Sequence, residues 1–376
     1  MYLVGGTVRD VLLCGQPVDL DLTAQGGSPE LADALASGLG GEVTSRSRFG
    51  TAKLSVGGLE LDLAVARTEL YARPGALPDV SPGTIEQDLT RREFSINAMA
   101  AGLSEEGWGR LLDPHDGMAD LRAGIIRVLH SSSFVDDATR ILRAVRYAGR
   151  FEFEIEPDTR RLLARDLRHL DGISGDRLRN ELKRLFAEDR WTECLQRAQD
   201  GGVLQAVHPA LSLEQRALDR LRAESSVAKS VRLAVTLYFV APRQVDAVIA
   251  RLNLAGRWAA IARDVAGLCG ALERLDAPRI RRSHVYDLLN GMAPAAIEGV
   301  ALVCDRPRAV RRLRLYLDEL RHVGSLLDGT DLLALGVPQG PRVGELLHAL
   351  LEARLEGLVS TRDDEEAYVK RSLAPG

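Results

Sequence analysis

The sequence predicts an α+β fold in which a small mixed sheet with helices precedes an all-helical region. Short β-like runs separated by turn residues occupy roughly the first 127 residues. After about residue 130 the strand patterns almost vanish, and Arg/Glu/Leu periodicity typical of helices replaces them. The chain of 376 residues also exceeds what one hydrophobic core usually serves. We therefore expect two or more structural units.

Composition and charge describe an ordinary globular chain. It is 45% hydrophobic and 27% charged with a net charge of −4, which excludes collagen-like, disordered and disulfide-scaffold classes. No apolar run approaches the ~18–20 residues that cross a bilayer. We expect a cytoplasmic protein with no membrane contact and no obligatory protein partner. The four cysteines form no C-x-x-C pair, which predicts reduced, buried thiols rather than zinc ligands or disulfides.

Period-two patterning locates the strands, most clearly in the alternation of Leu59–Leu63. The predicted strands are Tyr2–Val4, Val18–Thr23, Ala52–Val56, Leu59–Val65 and Ile125–Val128. The segment Thr68–Asp88 is rich in proline and glycine and predicts an irregular loop.

A Gly-Gly turn follows the first predicted strand and opens a helix. Gly5 and Gly6 let backbone N–H groups approach an anion, and Arg9 lies in the first helical turn. The pattern fits a phosphate site, although Gly-Gly turns without ligands are common.

Two aspartates stand two residues apart in the next strand. Asp19 and Asp21 point to the same face, where their mutual repulsion favours a hard cation such as Mg²⁺ between them. Asp62 or Glu60, on the alternating strand, could supply a third carboxylate. The alternative is an exposed edge with solvated carboxylates.

A pair of arginines precedes an apolar helix. Arg91 and Arg92 could clamp a triphosphate through their forked donors. The alternative is a salt-bridged helix start in which they pair with Asp88 or Glu93.

The segment from Asp136 to Tyr147 predicts an amphipathic helix with one arginine-rich face. Asp137 and Arg140 are i,i+3 neighbours, and together they offer an acceptor beside a forked donor that could read the Watson–Crick edge of a base. Arg143 and Arg146 share that face. A solvated arginine face explains the same pattern.

Taken in order, these segments resemble the class II tRNA nucleotidyltransferases, the family of CCA-adding enzymes and bacterial poly(A) polymerases. The matching motifs are Gly5-Gly6-x-Val8-Arg9-Asp10, Asp19-x-Asp21, Arg91-Arg92-Glu93-Phe94-x-Ile96-Asn97-Ala98, Asp113–Leu121, Asp136-Asp137-x-x-Arg140 and Gly172–Leu182. The resemblance implies a polymerase β-type nucleotidyltransferase head at 1–128, a neck at 129–187, a body at 188–295 and a tRNA-binding tail at 296–376.

The same resemblance implies template-independent addition of CCA to the tRNA 3′ end from CTP and ATP, with pyrophosphate release and two Mg²⁺ ions. A CC-adding or A-adding enzyme and a poly(A) polymerase are alternatives, and a non-catalytic RNA-binding relative is a remote one. Carried over by position, the resemblance implies that Gly6 and Arg9 contact the nucleotide and that Asp19 and Asp21 bind Mg²⁺ and act in catalysis. It implies that Arg92 contacts the triphosphate and that Asp137 and Arg140 select the base. Arg143 and Arg146 would complete the nucleotide pocket.

Two positions depart from the family pattern. The family usually has Glu where Asp136 stands, orienting the base-reading arginine, and Asp where Glu93 stands. In this family the loop corresponding to Thr68–Asp88 is tied to the switch from adding C to adding A. Here the loop is neither plainly long nor plainly deleted, and we expect complete CCA addition.

The helical second half carries no catalytic motif. Its Arg306–Arg321 stretch has a net charge of +4, which fits contact with the tRNA backbone as well as a solvated helix face. The glycine-rich Gly336–Gly344 precedes a helix predicted over Glu345–Leu355 and fits either an RNA phosphate site or an interhelical turn.

Overall fold

A computed structural model describes residues 1–15, 20–26, 30–47, 50–70, 79–224 and 226–373. The chain divides into two compact units, Met1–Pro209 and Ala210–Gly376. The finer division into head, neck, body and tail stays a prediction.

The first unit is built on a sheet of seven described strands. In chain order the strands of this unit are Tyr2–Val4 (β1), Leu20–Ala24 (β2), Glu42–Arg46 (β3), Thr51–Val56 (β4), Leu59–Val65 (β5), Arg67–Leu70 (β6), Asp79–Pro82 (β7), Ala100–Gly102 (β8), Leu111–Leu112 (β9), Ile125–Ile126 (β10) and Glu154–Ile155 (β11). The main sheet has the order β3-β4-β5-β2-β1-β8-β9; β2 and β5 run parallel, and the other neighbours antiparallel. β6 pairs with β7 and β10 with β11 in two small sheets.

The first helices of this unit pack on the main sheet, and the later ones pack mainly on each other. They are Gly6–Leu12 (α1), Leu31–Gly38 (α2), Ile85–Thr90 (α3), Gly117–Ala123 (α4), Ser133–Asp136 (α5), Thr139–Phe151 (α6), Pro157–Asp166 (α7), Gly175–Leu185 (α8), Trp191–Asp200 (α9) and Val203–Val207 (α10), with 3₁₀ turns at Ser95–Asn97, Glu105–Gly107 and Leu167–Gly172.

One face of the sheet is closed by its hydrophobic core. Leu22, Leu61 and Leu63 alternate along β2 and β5 and pack with Ala32 and Ala36 of α2. Because side chains alternate between the faces of a strand, the residues between these leucines point to the opposite face. The acidic positions of β2 and β5 therefore lie on the face away from this core.

The helix α6 is held closely against α9. A Cβ atom on Gly149 would lie 2.5 Å from the backbone nitrogen of Cys194, so only glycine permits this approach. Burial raises the pKa of the Cys194 thiol to about 12, which makes this cysteine an unreactive part of the packing.

The second unit is helical throughout its described residues. Its helices are Gln215–Arg222 (α11), Lys229–Leu237 (α12), Val245–Arg251 (α13), Arg257–Leu275 (α14), Arg282–Leu289 (α15), Pro294–Val303 (α16), Pro307–Asp318 (α17), Gly329–Ala334 (α18), Pro341–Leu355 (α19) and Arg362–Leu373 (α20), with 3₁₀ turns at Pro242–Gln244 and Leu320–His322. The buried Glu365 of α20 accepts hydrogen bonds from the backbone N–H groups of Leu326 and Leu327, which ties the last helix to the loop before α18.

The predicted fold class is confirmed, with two local corrections. The segment Thr68–Asp88 is not wholly irregular, because it contains the β6–β7 hairpin and the start of α3; residues 71–78 lie outside the described part. The four cysteines are free thiols, but Cys14 is exposed and Cys269 is only half-buried, so the prediction of buried thiols holds for Cys194 and Cys304 alone.

No single helix in the described ranges is long and apolar enough to cross a membrane. The bent pair Lys229–Leu237 and Pro242–Arg251 meets that criterion by length and composition only when its two helices are taken together across a 112° angle.

Candidate nucleotide and metal site

Carboxylates of neighbouring strands lie side by side on the face of the sheet opposite the core. Asp21 of β2 is the register partner of Asp62 of β5. Lys53 of β4 is the next partner in the row, with its Nζ 2.9 Å from Oδ1 of Asp62. All three line a cavity of about 430 Å³ that Arg92 also borders. The carboxylates of Asp21 and Asp62 therefore share one cavity with the cationic side chains of Lys53 and Arg92.

This face has the chemistry of a magnesium site without a complete ligand set among the described residues. Parallel strands lie about 4.8 Å apart, which brings the two carboxylates within reach of one ion, and carboxylate oxygen is the donor that Mg²⁺ prefers. Of the two candidates for an additional carboxylate, Asp62 lines the cavity, whereas the exposed Glu60 does not. The described ranges contain no group of three or more His, Cys, Asp or Glu that could hold a metal. Asp19, predicted as a further ligand, lies outside the described residues.

The Gly-Gly turn makes room for Arg92. Nε and Nη2 of Arg92 donate to Oδ2 of Asp88, at 3.3 and 2.9 Å. Nη1 makes no hydrogen bond with any described residue, and a Cβ atom on Gly5 would lie only 2.5 Å from it. Gly5 also has φ of +65°, a conformation that favours glycine. The turn therefore leaves one end of the Arg92 guanidinium available to an anion.

Replacing Gly5 with Ala is expected to destabilise the protein by about 1–2 kcal/mol because it adds both a positive-φ strain and a clash with Arg92. Thermal unfolding of the variant measures this effect. Gly38→Ala is the matched control, because that glycine lies in α2 with nothing within 4 Å of its added Cβ. Equal stability of the two variants would contradict this account of the turn.

The arginine pair is anchored by one buried carboxylate. Asp88 is 0% exposed and accepts hydrogen bonds from the guanidinium groups of both Arg91 and Arg92. Burial alone would raise the pKa of Asp88, but the two guanidinium groups outweigh it and hold the pKa below its ordinary value. Nη1 of Arg91 also lies 2.9 Å from Oε1 of Glu69. The salt-bridged alternative for this pair is therefore observed. Contact of Arg91 and Arg92 with a triphosphate stays a prediction.

A second cavity, of about 470 Å³, adjoins the arginine pair. Its lining contains six arginines and four acidic residues, a surplus of positive charge. The lining residues are Glu69, Arg91, Arg92, Glu93, Asp137, Thr139, Arg140, Arg143, Arg177, Asn180, Glu181 and Arg184. The cavity suits an anionic ligand with a polar edge.

The predicted base-reading pair, Asp137 and Arg140, lies in this cavity, and the two side chains are fixed by different partners. Oδ1 of Asp137 accepts from the backbone N–H and hydroxyl of Thr139, at 2.9 and 2.7 Å, and from Arg177 at 2.8 Å. Oδ2 of Asp137 receives no hydrogen bond within the described part of the chain. Arg140 donates to Ser133 and to the main-chain carbonyl of Arg91. An acceptor and a set of donors are therefore available to a ligand.

Arg143 is held by the carboxylate that follows the arginine pair. Oε1 of Glu93 accepts from Nη2 of Arg143 at 2.6 Å and from the Asn97 amide at 2.9 Å. Burial would raise the pKa of Glu93, but the neighbouring Arg143 outweighs it and lowers the pKa to about 2. The same carboxylate holds the pKa of Arg143 above its ordinary value despite burial.

This ion pair predicts a loss of stability in acid. Because the pKa of Glu93 is about 2 when folded and ordinarily 4.5, its contribution is complete above pH 4.5 and is lost as the pH falls towards 2. Over that interval the free energy of unfolding of the wild type should fall by on the order of 3 kcal/mol more than that of Glu93→Gln. Denaturant unfolding at several pH values measures the difference. Glu105→Gln, at an exposed position, should follow the wild type, and parallel curves for all three proteins would contradict the prediction.

Arg9 and Arg146 are engaged inside the protein. Arg9 is 3% exposed, donates to Asp10 and Asn97, and stacks 4.7 Å from the ring centre of Phe151. Arg146 is 7% exposed and donates to Glu188 at 2.7 Å. Neither arginine, nor Gly6, lines the two cavities described above. Contact of these three residues with a nucleotide stays a prediction. In the structure, the two arginines stabilise α6 through the contacts with Phe151 and Glu188.

The sequence analysis missed residues of α8 and β4. Arg177, Glu181 and Arg184 stand at i, i+4 and i+7 of α8, so they share the face that lines the second cavity. Arg177 and Glu181 belong to the family motif Gly172–Leu182, and the helical spacing of the three residues was the signal that could have identified them. Lys53 gave no such signal beyond its place in a strand.

Comparisons with known proteins agree on one family. Residues 1–127 match the family described as Poly A polymerase head domain. Residues 152–214 match the one described as Probable RNA and SrmB-binding site of polymerase A.

Curated relatives match along nearly the whole chain. An A-adding tRNA nucleotidyltransferase of Geobacter sulfurreducens is 34% identical over 97% of this chain, which spans 44% of that relative's length. A CC-adding tRNA nucleotidyltransferase of Deinococcus radiodurans is 34% identical over 99% of this chain and 89% of its own. Among solved structures, the Thermotoga maritima CCA-adding enzyme complexed with tRNA matches with a TM-score of 0.80 and 30% identity, over 99% of this chain and 91% of that one.

Proposed function

Since this chain belongs to the class II tRNA nucleotidyltransferase and poly(A) polymerase family, we propose that it extends the 3′ end of tRNA with nucleotides from CTP and ATP. Each addition joins the RNA 3′-hydroxyl to the α-phosphate of the nucleotide and releases pyrophosphate.

The observation that carries the proposal is the position of Arg92, which borders both cavities. One cavity contains the carboxylates Asp21 and Asp62, and the other contains the base-reading candidates Asp137 and Arg140. A nucleotide with its base in the second cavity would pass its phosphates along Nη1 of Arg92 towards the carboxylates. This order of groups is the one that a nucleoside triphosphate requires, which supports the proposal.

The carboxylate face fits divalent ions. We assign Mg²⁺ binding to Asp21, to Asp62, and to Asp19 from outside the described residues, with two ions as the family resemblance implies. When bound, the ions would activate the attacking hydroxyl and neutralise charge on the leaving pyrophosphate. Arg92 adds a fixed guanidinium for the triphosphate, so the protein acts mainly by positioning and charge neutralisation.

The second cavity offers a matching edge for a base. Oδ2 of Asp137 can accept from the exocyclic amino group of cytosine or adenine, and N–H groups of Arg140 can donate to a ring nitrogen or the cytosine carbonyl. Arg143, fixed by Glu93, adds positive charge to the same cavity. These groups therefore suit both CTP and ATP, which supports complete CCA addition.

Partial specificity is the second candidate, and it is favoured by the names of the relatives. The Geobacter protein adds A and the Deinococcus protein adds CC, at equal identity to this chain. A poly(A) polymerase is a further alternative within the same family.

Incorporation of labelled CTP and ATP into three tRNA transcripts tests these alternatives. The transcripts end before the CCA, after the first C and after both Cs, and a sequencing gel resolves the products. Extension of all three to CCA supports the proposal, whereas extension limited to CC or to the terminal A supports the partial enzymes. Long A tails on non-tRNA RNA identify a poly(A) polymerase, and no incorporation at all contradicts nucleotide transfer.

We also propose that the second unit contacts the tRNA backbone. Arg308, Arg311 and Arg314 stand on α17 with exposed side chains and no acidic partner within the described residues. Spaced three residues apart, they share one face of the helix, as a phosphate contact requires. The Gly336–Gly344 turn precedes α19, which begins at Pro341 rather than at Glu345; a phosphate site there stays a prediction.

A further inference from the structure

Arg140 is buried, and two fixed acceptors hold its guanidinium group. Nη1 donates to Oγ of Ser133 at 2.8 Å, and Nη2 donates to the main-chain carbonyl of Arg91 at 2.9 Å. Arg140 is 6% exposed and Ser133 is 0% exposed. These bonds use two of the five N–H groups of the guanidinium. Three donors remain without a partner among the described residues, and Arg140 lines the second cavity.

The two anchors fix the plane of the guanidinium group. A long arginine side chain held at one point can still rotate about that point, whereas two acceptors on different nitrogens determine its orientation. The Arg91 carbonyl is itself restrained, because the Arg91 side chain is bound to Asp88 and Glu69. The remaining freedom of Arg140 therefore depends on Ser133.

The Ser133 hydroxyl has no other bonding partner in the described structure. Ser133 is the first residue of α5, and the helix is capped at Ser132, whose side chain makes no capping hydrogen bond. A buried hydroxyl oxygen is costly unless it is hydrogen-bonded, and here Oγ of Ser133 accepts from Nη1 of Arg140. Ser133 is therefore a buried polar residue whose hydroxyl is hydrogen-bonded, among the described residues, to Arg140 alone.

Asp136 does not supply this contact. Its Oδ2 lies 3.9 Å from Nε2 of His130, and no described hydrogen bond joins it to Arg140. Orientation of the arginine is therefore carried by Ser133 together with the Arg91 carbonyl.

We propose that Ser133 is a positioning residue for base selection: its hydroxyl sets the orientation in which Arg140 presents its donors to the incoming base. This inference rests on the proposed function and adds a specificity determinant to it. Without the hydroxyl, Arg140 can tilt about the Arg91 carbonyl, and its donors no longer match one base edge better than another.

The test compares Ser133→Ala with the matched control Ser132→Ala, an exposed serine next in sequence. Selectivity is the ratio of kcat/KM for the preferred nucleotide to that for the other, measured on the same tRNA transcript. Loss of a hydrogen bond to a charged group should lower this ratio roughly ten-fold in Ser133→Ala. The ratio in Ser132→Ala should remain that of the wild type, and KM for the preferred triphosphate should change much less than the ratio.

If Ser133→Ala folds poorly, the same selectivity ratio is measured in Ser133→Cys, because cysteine keeps the side-chain volume but offers only a weak acceptor. It should lower selectivity in the same direction. An unchanged ratio, or an equal loss for both nucleotides, would overturn the proposal and leave Ser133 a packing residue.

Failure of the proposed function is distinguishable from failure of this inference. If the wild type transfers no nucleotide to tRNA, calorimetric titration of CTP and of ATP still gives the ratio of their dissociation constants. A change of that ratio in Ser133→Ala, absent in Ser132→Ala, supports the positioning role. An identical ratio in wild type and variant refutes it.

Discussion

Asp21→Asn is expected to lower the rate of nucleotide incorporation by about 10³-fold or more. The change removes one carboxylate from the paired strands β2 and β5 while keeping the size of the side chain. The backbone N–H of Asp21 donates to Oγ1 of Thr7 and is untouched, so the strand should remain in place. A 10³-fold loss corresponds to about 4 kcal/mol of transition-state stabilisation, within the range for loss of metal assistance.

Single-turnover incorporation into tRNA measures this loss, with tRNA binding followed separately. Asp158→Asn is the matched control, because Asp158 is an exposed carboxylate on α7 that pairs with Arg161, and neither residue lines either cavity. The control should retain full activity, and both variants should bind tRNA as the wild type does. Turnover retained in Asp21→Asn would refute the assignment of this carboxylate to the metal.

Arg92→Lys is expected to reduce kcat/KM by about 10²-fold for CTP and ATP alike. Lysine keeps a positive charge beside the buried Asp88, but it cannot bind that carboxylate and a phosphate at the same time through a planar fork. Because the proposed function assigns Arg92 to the phosphates rather than to the base, both nucleotides should lose affinity equally. Their selectivity ratio should therefore stay constant.

Steady-state kinetics with each nucleotide decides this prediction. Arg122→Lys serves as the control, since Arg122 is exposed at the end of α4 and lines neither cavity. A shift in the CTP/ATP ratio would place Arg92 at the base instead of the triphosphate, contrary to the geometry proposed for it.

Strands with strict alternation were predictable from the sequence, and strands without it were not. β5 alternates leucine with polar residues because one face meets the core. The polar β3, Glu42–Arg46, is largely exposed at the edge of the sheet and gives no such pattern. β8 consists of two alanines and a glycine, which have little intrinsic strand preference, and its pairing with β1 determines its structure.

The site residues show the same division between local and distant information. The sequence located Asp21, Arg92, Asp137 and Arg140 because each belongs to a short local motif, and the structure brings all four to the two cavities. The bond between Arg177 and Asp137 joins residues 40 positions apart, and no local pattern reports it.

Burial of individual arginines was also beyond the sequence. A helical wheel places Arg140, Arg143 and Arg146 on one polar face, but it cannot distinguish solvent from a protein environment rich in acids and aromatic rings. Arg146 packs 4.4 Å from the ring centre of Tyr147 and pairs with Glu188, so it is buried despite its charge.

The three consecutive residues 91 to 93 each face a different neighbour. The carbonyl of Arg91 holds Arg140, Arg92 borders both cavities, and Glu93 binds Arg143. A single inserted or deleted residue would shift all of these relations at once, whereas a substitution affects only one. Evolutionary change in chain length should therefore be tolerated poorly here, and engineering of this protein is better directed to point changes around a segment of fixed length.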